Sequence, residues 1–396
     1  MLEVEEVGAL KVFAGEVSFL LHWLHHNALP LWLKSGFDRE MGGFFERVRL
    51  DGEPSRQDSR RARVQPRQVY CYAAAGLRNW PGAWQEVALE GFAWFEKVYL
   101  RGDGFYGSLA SASGELIDDG FDLYNQAFAL FAFVQLALGF PERKDEMEAK
   151  ALALLSALRA GYAHPMGGFE EACPRKLPLC SNPHMHLFEA SLAWEVAASD
   201  PAPWRALSDE IGNLAISRFI NPESGALREF FDHDWKPFAG DKGRVVEPGH
   251  QFEWAWLLSR WGLSRGNPAA IAKARRLFEI GTKHGICETR QVAIMGLFDD
   301  FAIFDPVARL WPQTEWFKAA ATLALMNSGH ERTAYLLEAV RACNALRKFL
   351  ATEMTGLWYD KLLPNGRFVA EPAPASSFYH ILCSIYEAAD MLERMR

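Results

Sequence analysis

Three histidines stand where a helix that only filled a core would have no use for them. His186 lies in "NPHMHLFEA", His250 in "EPGHQFEWAWLL" and His380 in "PASSFYHIL", each just after helix-starting residues and just before an apolar run. Imidazoles titrate near neutral pH and supply both an acid and a base. Glu253 follows His250 by three residues and Glu189 follows His186 by three, so each carboxylate shares a helical face with its imidazole. The spacing predicts that Glu253 fixes the His250 tautomer and raises its basicity.

Other polar residues fall in similar places: Arg67 and Gln68 in "QPRQVYCYA", Tyr124 and Asn125 in "DLYNQAFAL", and Trp311, Gln313 and Glu315 in "LWPQTEWF". Arg67 suits a species that becomes anionic during reaction. Tyr124 and Trp311, beside polar neighbours, suit the wall of a sugar pocket. A single histidine at a helix start is more often structural than catalytic, but recurrence at equivalent positions favours function. His184 and His186 are two apart and cannot share a face, so only His186 is expected in the site. "HMH" on a helix is a weak zinc signature, and no metal is expected.

The elements that carry these groups repeat. Gly43, Gly104, Gly168, Gly225, Gly285 and Gly356 each open a short β-like segment, at spacings of 61, 64, 57, 60 and 71 residues. Three of these segments carry Asp-Gly, Ser-Gly or Asn-Gly, which are hairpin-turn dipeptides. Two helical patterns follow each segment. Measured from the repeat glycine, Arg67, Tyr124, His186, His250, Trp311 and His380 lie 24, 20, 18, 25, 26 and 24 residues on. Pro66, Pro183, Pro248 and Pro312 sit in the first turns of four of these helices, and Asp122 and the Ser376–Ser377 pair start the others. Six hairpin–helix–helix units cannot each bury a face alone, but a closed ring can. The pattern predicts an all-α (α/α)6 barrel over residues 1–396, one domain, with hairpins crowding one rim and the polar groups converging there.

Composition narrows the partners. The chain is 49% hydrophobic and carries a net charge of −8, which disfavours nucleic acid and anionic membrane. The basic stretch "RQDSRRARVQPR" is short and reads as a solvated segment. An acidic N-terminus gives no secretion signal, and "AFALFAFVQLALGF" is too short for a membrane span and fits a buried helix. Six scattered cysteines fit reduced thiols in a cytoplasmic protein.

The quoted motifs, in this order and over nearly the whole chain, resemble the N-acylglucosamine 2-epimerase superfamily. The resemblance implies an (α/α)6 barrel and interconversion of aldoses at C2, or of aldoses with ketoses, with no cofactor consumed. It implies His250 and His380 as the acid/base pair, His186 and Arg67 as contacts to the sugar and its anionic intermediate, Glu253 as support for His250, and Tyr124 and Trp311 as pocket walls. The motif forms are most similar to the mannose isomerase branch, which favours conversion of D-mannose to D-fructose through a cis-enediolate. Epimerisation at C2 of an N-acylhexosamine or a free hexose is the second reading. The expected partner is a small monosaccharide, and the chain is expected to be a monomer or homodimer.

Two other classes fit the pattern less well. A glycoside hydrolase would need two carboxyl groups flanking the bond and would leave the histidines idle. A sugar-binding protein would keep the aromatic residues and Arg67 without paired bases.

Overall fold

The structure is a computed structural model and describes residues 2–396, with side chains from Glu5 onward. Six inner helices form a closed ring: α3 (Val64–Leu77), α5 (Leu123–Gly139), α7 (Ser181–Ala197), α9 (Pro248–Arg265), α11 (Leu310–Leu325) and α13 (Ser376–Met395), with α13 returning to α3. The outer layer is α1 (Leu2–Trp23), which runs through a wider turn into α2 (Leu29–Ser35), then α4 (Trp84–Tyr99), α6 (Lys144–Tyr162), α8 (Ala202–Leu214), α10 (Pro268–His284) and α12 (Gly329–Leu350). This is the (α/α)6 barrel that the repeat count predicts.

Sequence decides the layer. Inner helices are apolar nearly all round, as fully surrounded helices must be; in α11 every residue from Leu310 to Ala324 is buried. Outer helices carry one stripe: α8 buries Trp204, Leu207, Ile211 and Leu214 at helical spacing. The segment "AFALFAFVQLALGF" lies in and just past α5, at the heart of the ring. The N-terminal helical stretch, Glu5–Ser35, is long and apolar enough by composition to cross a membrane, with a mean hydropathy of 1.3. Here it closes the outer layer. Phe13 packs on Phe317 with ring centroids 6.1 Å apart, and Glu6 and Glu16 pair with Arg332 and Arg347 of α12 at 2.9 and 3.0 Å.

The rim hairpins lock the ring in register. At five of the six inner helices the strand entering the helix pairs antiparallel with the hairpin of the next unit; the strand before α5, Leu116–Asp118, pairs only within its own hairpin. Arg60–Arg61 meets Leu109–Ala110, Leu179–Cys180 meets Phe230–Phe231, Val245–Val246 meets Leu297–Phe298, and Ala308–Arg309 meets Lys361–Leu362. Ala373–Pro374 then pairs with Arg47–Val48 and closes the circle.

A second device repeats beneath the strands. Gln65 accepts from Phe44 N–H at 2.7 Å and donates to Phe44 C=O at 2.9 Å. Gln126 does the same to Tyr106, Gln251 to Leu227 and Gln313 to Ala293. In the third unit His184 takes this place and accepts from Phe169 N–H at 2.9 Å. Each clamp satisfies buried peptide groups that would otherwise be orphaned and ties a hairpin to the first turn of its inner helix. The repeat glycines serve the same joint. Five of the six have positive φ, and a Cβ on Gly43 (φ +72°) would meet the Trp94 ring at 2.3 Å.

Candidate active site

The first turns of the inner helices surround a cavity of about 260 Å³. Arg67, Tyr124, His186, His250, Glu253, Trp311 and His380, each from a motif singled out in the sequence, all line it. Trp311 stands between two imidazoles, its ring 4.9 Å from that of His250 and 5.9 Å from that of His380. On the opposite wall Tyr124 and Phe128 pack on His186 at 4.8 and 4.6 Å. Arg67 lies over the Phe128 ring at 4.1 Å and donates to the Tyr124 hydroxyl and to Ser376 C=O. None of these contacts is a carboxylate, so the guanidinium keeps its charge for the cavity.

Each imidazole is backed by a buried carboxylate. His380 Nδ1 lies 2.9 Å from Glu315 Oε1, His250 Nδ1 3.0 Å from Glu229 Oε2, and His186 Nδ1 3.3 Å from Glu189 Oε2. A carboxylate only accepts, so the Nδ1 of His380 and of His186 carries the proton and their Nε2 is left for chemistry, whereas His250 Nδ1 lies beside Glu229 without an aligned hydrogen bond.

The environments of the two Trp311 neighbours push them apart. Burial alone would lower the His250 pKa, but Glu229 and then Glu247, 3.6 Å away, outweigh it and push it up to about 10. His380 is held well below its ordinary value by burial, helped by the positive charges of Arg67 and Lys318. At neutral pH His250 is therefore a cation and His380 a neutral base. His186 is likewise neutral, pushed down to about 3 by burial.

Lys318 explains how the carboxylates are tolerated. Its side chain is 0% exposed, its Nζ lies 2.7 Å from Glu315 Oε2, and it sits 3.6 Å over the Trp256 ring. Burying an ammonium is costly unless it is paired. Here one cation offsets the carboxyl groups of Glu189, Glu253 and Glu315, all of which act on its ionisation.

Glu253 departs from expectation. It is not the partner of His250; its nearest imidazole contact is His186 Nδ1, at 3.9 Å. His250 turns its Nδ1 toward the Glu229 hairpin and Glu247, while Glu253 points deeper among Glu315, Lys318 and Glu189. Burial, then the adjacent Glu315, push its pKa well up, against the pull of Lys318.

Other expectations need correction too. Gln68 donates to Ala375 C=O at 2.8 Å, Gln313 is a hairpin clamp, and Asn125 donates to Ser108 Oγ at 3.2 Å. These are joints of the fold. The stretch "RQDSRRARVQPR" is solvated only in its first half, where Arg56, Gln57 and Ser59 are exposed. Arg60 is buried against Asp38 at 2.5 Å, and Arg61 and Arg63 line the cavity with Arg67. Glu229, Glu247, Asn182, Arg309 and Lys318 were not singled out from sequence. Only Lys318 carried a signal, a lysine within "EWFKAAATLAL", an otherwise apolar helical run.

Two groups have ligand atoms close enough for a metal: His186, Glu189 and Glu253, and Glu253, Glu315 and His380, all within 4.8 Å of one another. Lys318 already places a positive charge against Glu315 in that cluster.

The sequence pattern of the N-acylglucosamine 2-epimerase (GlcNAc 2-epimerase) family matches residues 43–384. The chain is 60% identical over 383 residues to a protein of Rhizobium meliloti (strain 1021) named mannose-6-phosphate isomerase, covering 96% of this chain and 98% of the relative. Its fold is similar to a crystal structure of D-mannose isomerase (TM-score 0.84, 21% identity, 94% of this chain and 97% of that one). It is equally similar to cellobiose 2-epimerase from Spirochaeta thermophila DSM 6192 (TM-score 0.84, 20% identity, 97% and 98%).

Proposed function

The chain belongs to the N-acylglucosamine 2-epimerase family and is a sugar isomerase or epimerase, and from that premise we propose that it interconverts a mannose-configured aldohexose and its ketose. The observation that carries this reading is the pair of imidazoles either side of Trp311, each with a buried carboxylate at its Nδ1, in surroundings that push the pKa of His250 up and that of His380 down. Groups whose pKa values are driven apart divide the acid and base roles between them.

In this reading His380 Nε2 removes the proton from C2 of the open-chain aldose. The C2–H electrons form the C1–C2 double bond, and the carbonyl electrons move to O1, which takes a proton from the His250 cation. The product is a cis-enediol. His250 then accepts the O2 proton as the C2 carbonyl forms, and His380 returns its proton to C1. Both imidazoles end as they began. Arg67, with no carboxylate partner, stabilises charge developing on oxygen, a contribution of the kind worth ~10²–10³-fold in rate. His186, Tyr124 and Trp311 hold the sugar, and no metal takes part. The name of the 60%-identical relative supports a mannose-type substrate and isomerisation.

The test is NMR of D-mannose incubated with the enzyme in D2O. Fructose deuterated at C1, and no exchange with His380→Asn, is the expected result. Glucose deuterated at C2, or turnover of N-acetylmannosamine alone, would establish the epimerase reading instead.

A further inference from the structure

Tyr379 stands immediately before the proposed base His380 on α13, yet the proton transfers make no use of it. Its side chain is buried and does not line the cavity. The hydroxyl reaches across the ring to α7 and hydrogen-bonds Oε1 of Glu189, the only hydrogen bond of that oxygen among the described residues. The other oxygen, Oε2, lies 3.3 Å from His186 Nδ1. Glu189 is buried too and is shut out of the cavity. One carboxyl group thus joins a tyrosine on α13 to an imidazole on α7, and of the three only the imidazole faces the substrate.

The direction of both bonds follows from Glu189. Burial alone would raise its pKa, but the bond with His186 and then the charge of Lys318 outweigh burial and hold it below its ordinary value. A carboxylate has no proton to give, so the Tyr379 hydroxyl donates to Oε1 and His186 Nδ1 donates to Oε2. The second carboxyl group near this imidazole, Glu253 at 3.9 Å, also approaches Nδ1. Among the described residues Nε2 has no protein hydrogen bond, and His186 lines the cavity. Because the ring is neutral, Nε2 presents a bare lone pair there. Such an atom accepts a hydrogen bond and cannot donate one. It suits a hydroxyl of the sugar, and it is the wrong partner for a carbonyl oxygen or a developing oxyanion.

We propose that Tyr379 is a positioning residue for substrate recognition, which through Glu189 holds His186 as a fixed hydrogen-bond acceptor for a hydroxyl group of the sugar. Charge developing on oxygen is then left to Arg67 and His250. This rests on the reading of the cavity as a sugar isomerase site.

¹⁵N NMR of histidine-labelled protein at neutral pH reads the His186 tautomer directly, its signals being assigned by their loss in His186→Asn. The wild type is expected to show a protonated Nδ1 and a bare Nε2. Glu189→Gln puts an amide in place of the carboxylate. The buried Tyr379 hydroxyl has no other acceptor and still donates to the amide oxygen, so the NH2 faces Nδ1 and the proton is expected to move to Nε2. Adding Tyr379→Phe frees the amide to turn, and the Nδ1–H form should return in a measurable share of molecules. A bare Nδ1 in the wild type, or a tautomer in Glu189→Gln that Tyr379→Phe leaves unchanged, would overturn the proposal.

Kinetics with D-mannose give the second readout. Tyr379→Phe, which removes a single oxygen, is expected to raise KM roughly 3–10-fold, the scale of one net hydrogen bond, with kcat little changed because His250 and His380 keep their carboxylates. A loss confined to kcat would make Tyr379 a support of His380 instead and end its role in recognition, as would unchanged kinetics. If the wild type turns over no sugar, the isomerase reading falls, and the tautomer measurements still decide whether Tyr379 positions His186.

Discussion

Glu315 on α11 reaches across to α13 and accepts from His380 Nδ1 at 2.9 Å. This contact sets the tautomer of the proposed base, and Glu315→Gln tests it. An amide offers its NH2 as readily as its oxygen, so Nδ1 can become the acceptor and Nε2 then carries the proton. The expected loss in kcat is on the order of 10²–10⁴-fold, the scale for a general base placed in the wrong tautomer. KM should change little, because the ring remains in place. A fall expressed mainly in KM would reassign Glu315 to substrate binding.

The pH dependence follows from His250. Its folded pKa is raised from 6.5 to about 10, so its contribution to stability is full below 6.5 and is lost as pH rises through about 10. Activity that needs the His250 cation should follow the same limb, level through neutrality and falling near pH 10. The carboxylates facing the ring are Glu229 at 3.0 Å and Glu247 at 3.6 Å. Glu229→Gln removes the nearer, and the basic limb of kcat/KM should move down toward 6.5. An unmoved limb would assign it to another group.

The residues that position the site were unequally legible in the sequence. The ring could be read because its unit repeats: the six glycines and the apolar helix starts recur at near-constant spacing, and structure requires both. The cavity residues could be read because ionisable or bulky polar groups stood out in apolar first turns. Their partners could not. Glu229 lies 21 residues before His250, on a hairpin, and Glu315 lies 65 before His380, on a neighbouring helix. A spacing rule along one helix sees neither, and applied to His250 it selected Glu253, which shares the helix but faces away into the ring. Arg61 and Arg63 were misread because a basic run usually lies in solvent. Here the strand Arg60–Arg61 turns straight into α3 at the cavity mouth.

Lys318→Met should be strongly destabilising, because it removes the ammonium from the buried Glu315, where both side chains are 0% exposed, and leaves that carboxyl group only its hydrogen bond with His380. Breaking a buried pair by removing one partner costs about 3–5 kcal/mol. Chemical denaturation gives the value directly. The double variant Lys318→Met/Glu315→Gln should recover much of that loss, since the orphaned charge is gone, yet remain as slow as Glu315→Gln. Recovery of activity together with stability would contradict the link from Glu315 to His380.

The amide clamps predict a different signature. Gln251→Ala removes both bonds to the Leu227 peptide, at 2.8 and 2.9 Å, and leaves two buried backbone groups without partners. The expected destabilisation is about 1–3 kcal/mol for each group so stranded. His250 is the adjacent residue, and Glu229 lies two beyond Leu227 on the clamped hairpin. The joint therefore also sets their spacing, and kcat should fall more than KM rises. A purely thermal defect with normal kcat in the folded protein would show that the hairpin holds its place without the clamp.

Metal dependence separates the proposed proton transfers from Lewis-acid catalysis. His186, Glu189 and Glu253, or Glu253, Glu315 and His380, could in geometry hold a cation. A metal on His380 would displace the Nδ1–H bond to Glu315 or occupy the nitrogen left for the base, and in either case it would compete with the Lys318 ammonium for Glu315. Glu253 is also pushed well up, by burial first and by Glu315 next, toward the protonated form that binds cations poorly. Exhaustive dialysis against EDTA should therefore leave kcat unchanged, and added Zn²⁺ should inhibit by capturing imidazole. Activity abolished by EDTA and restored by a divalent ion would replace the two-imidazole mechanism with a metal-assisted one.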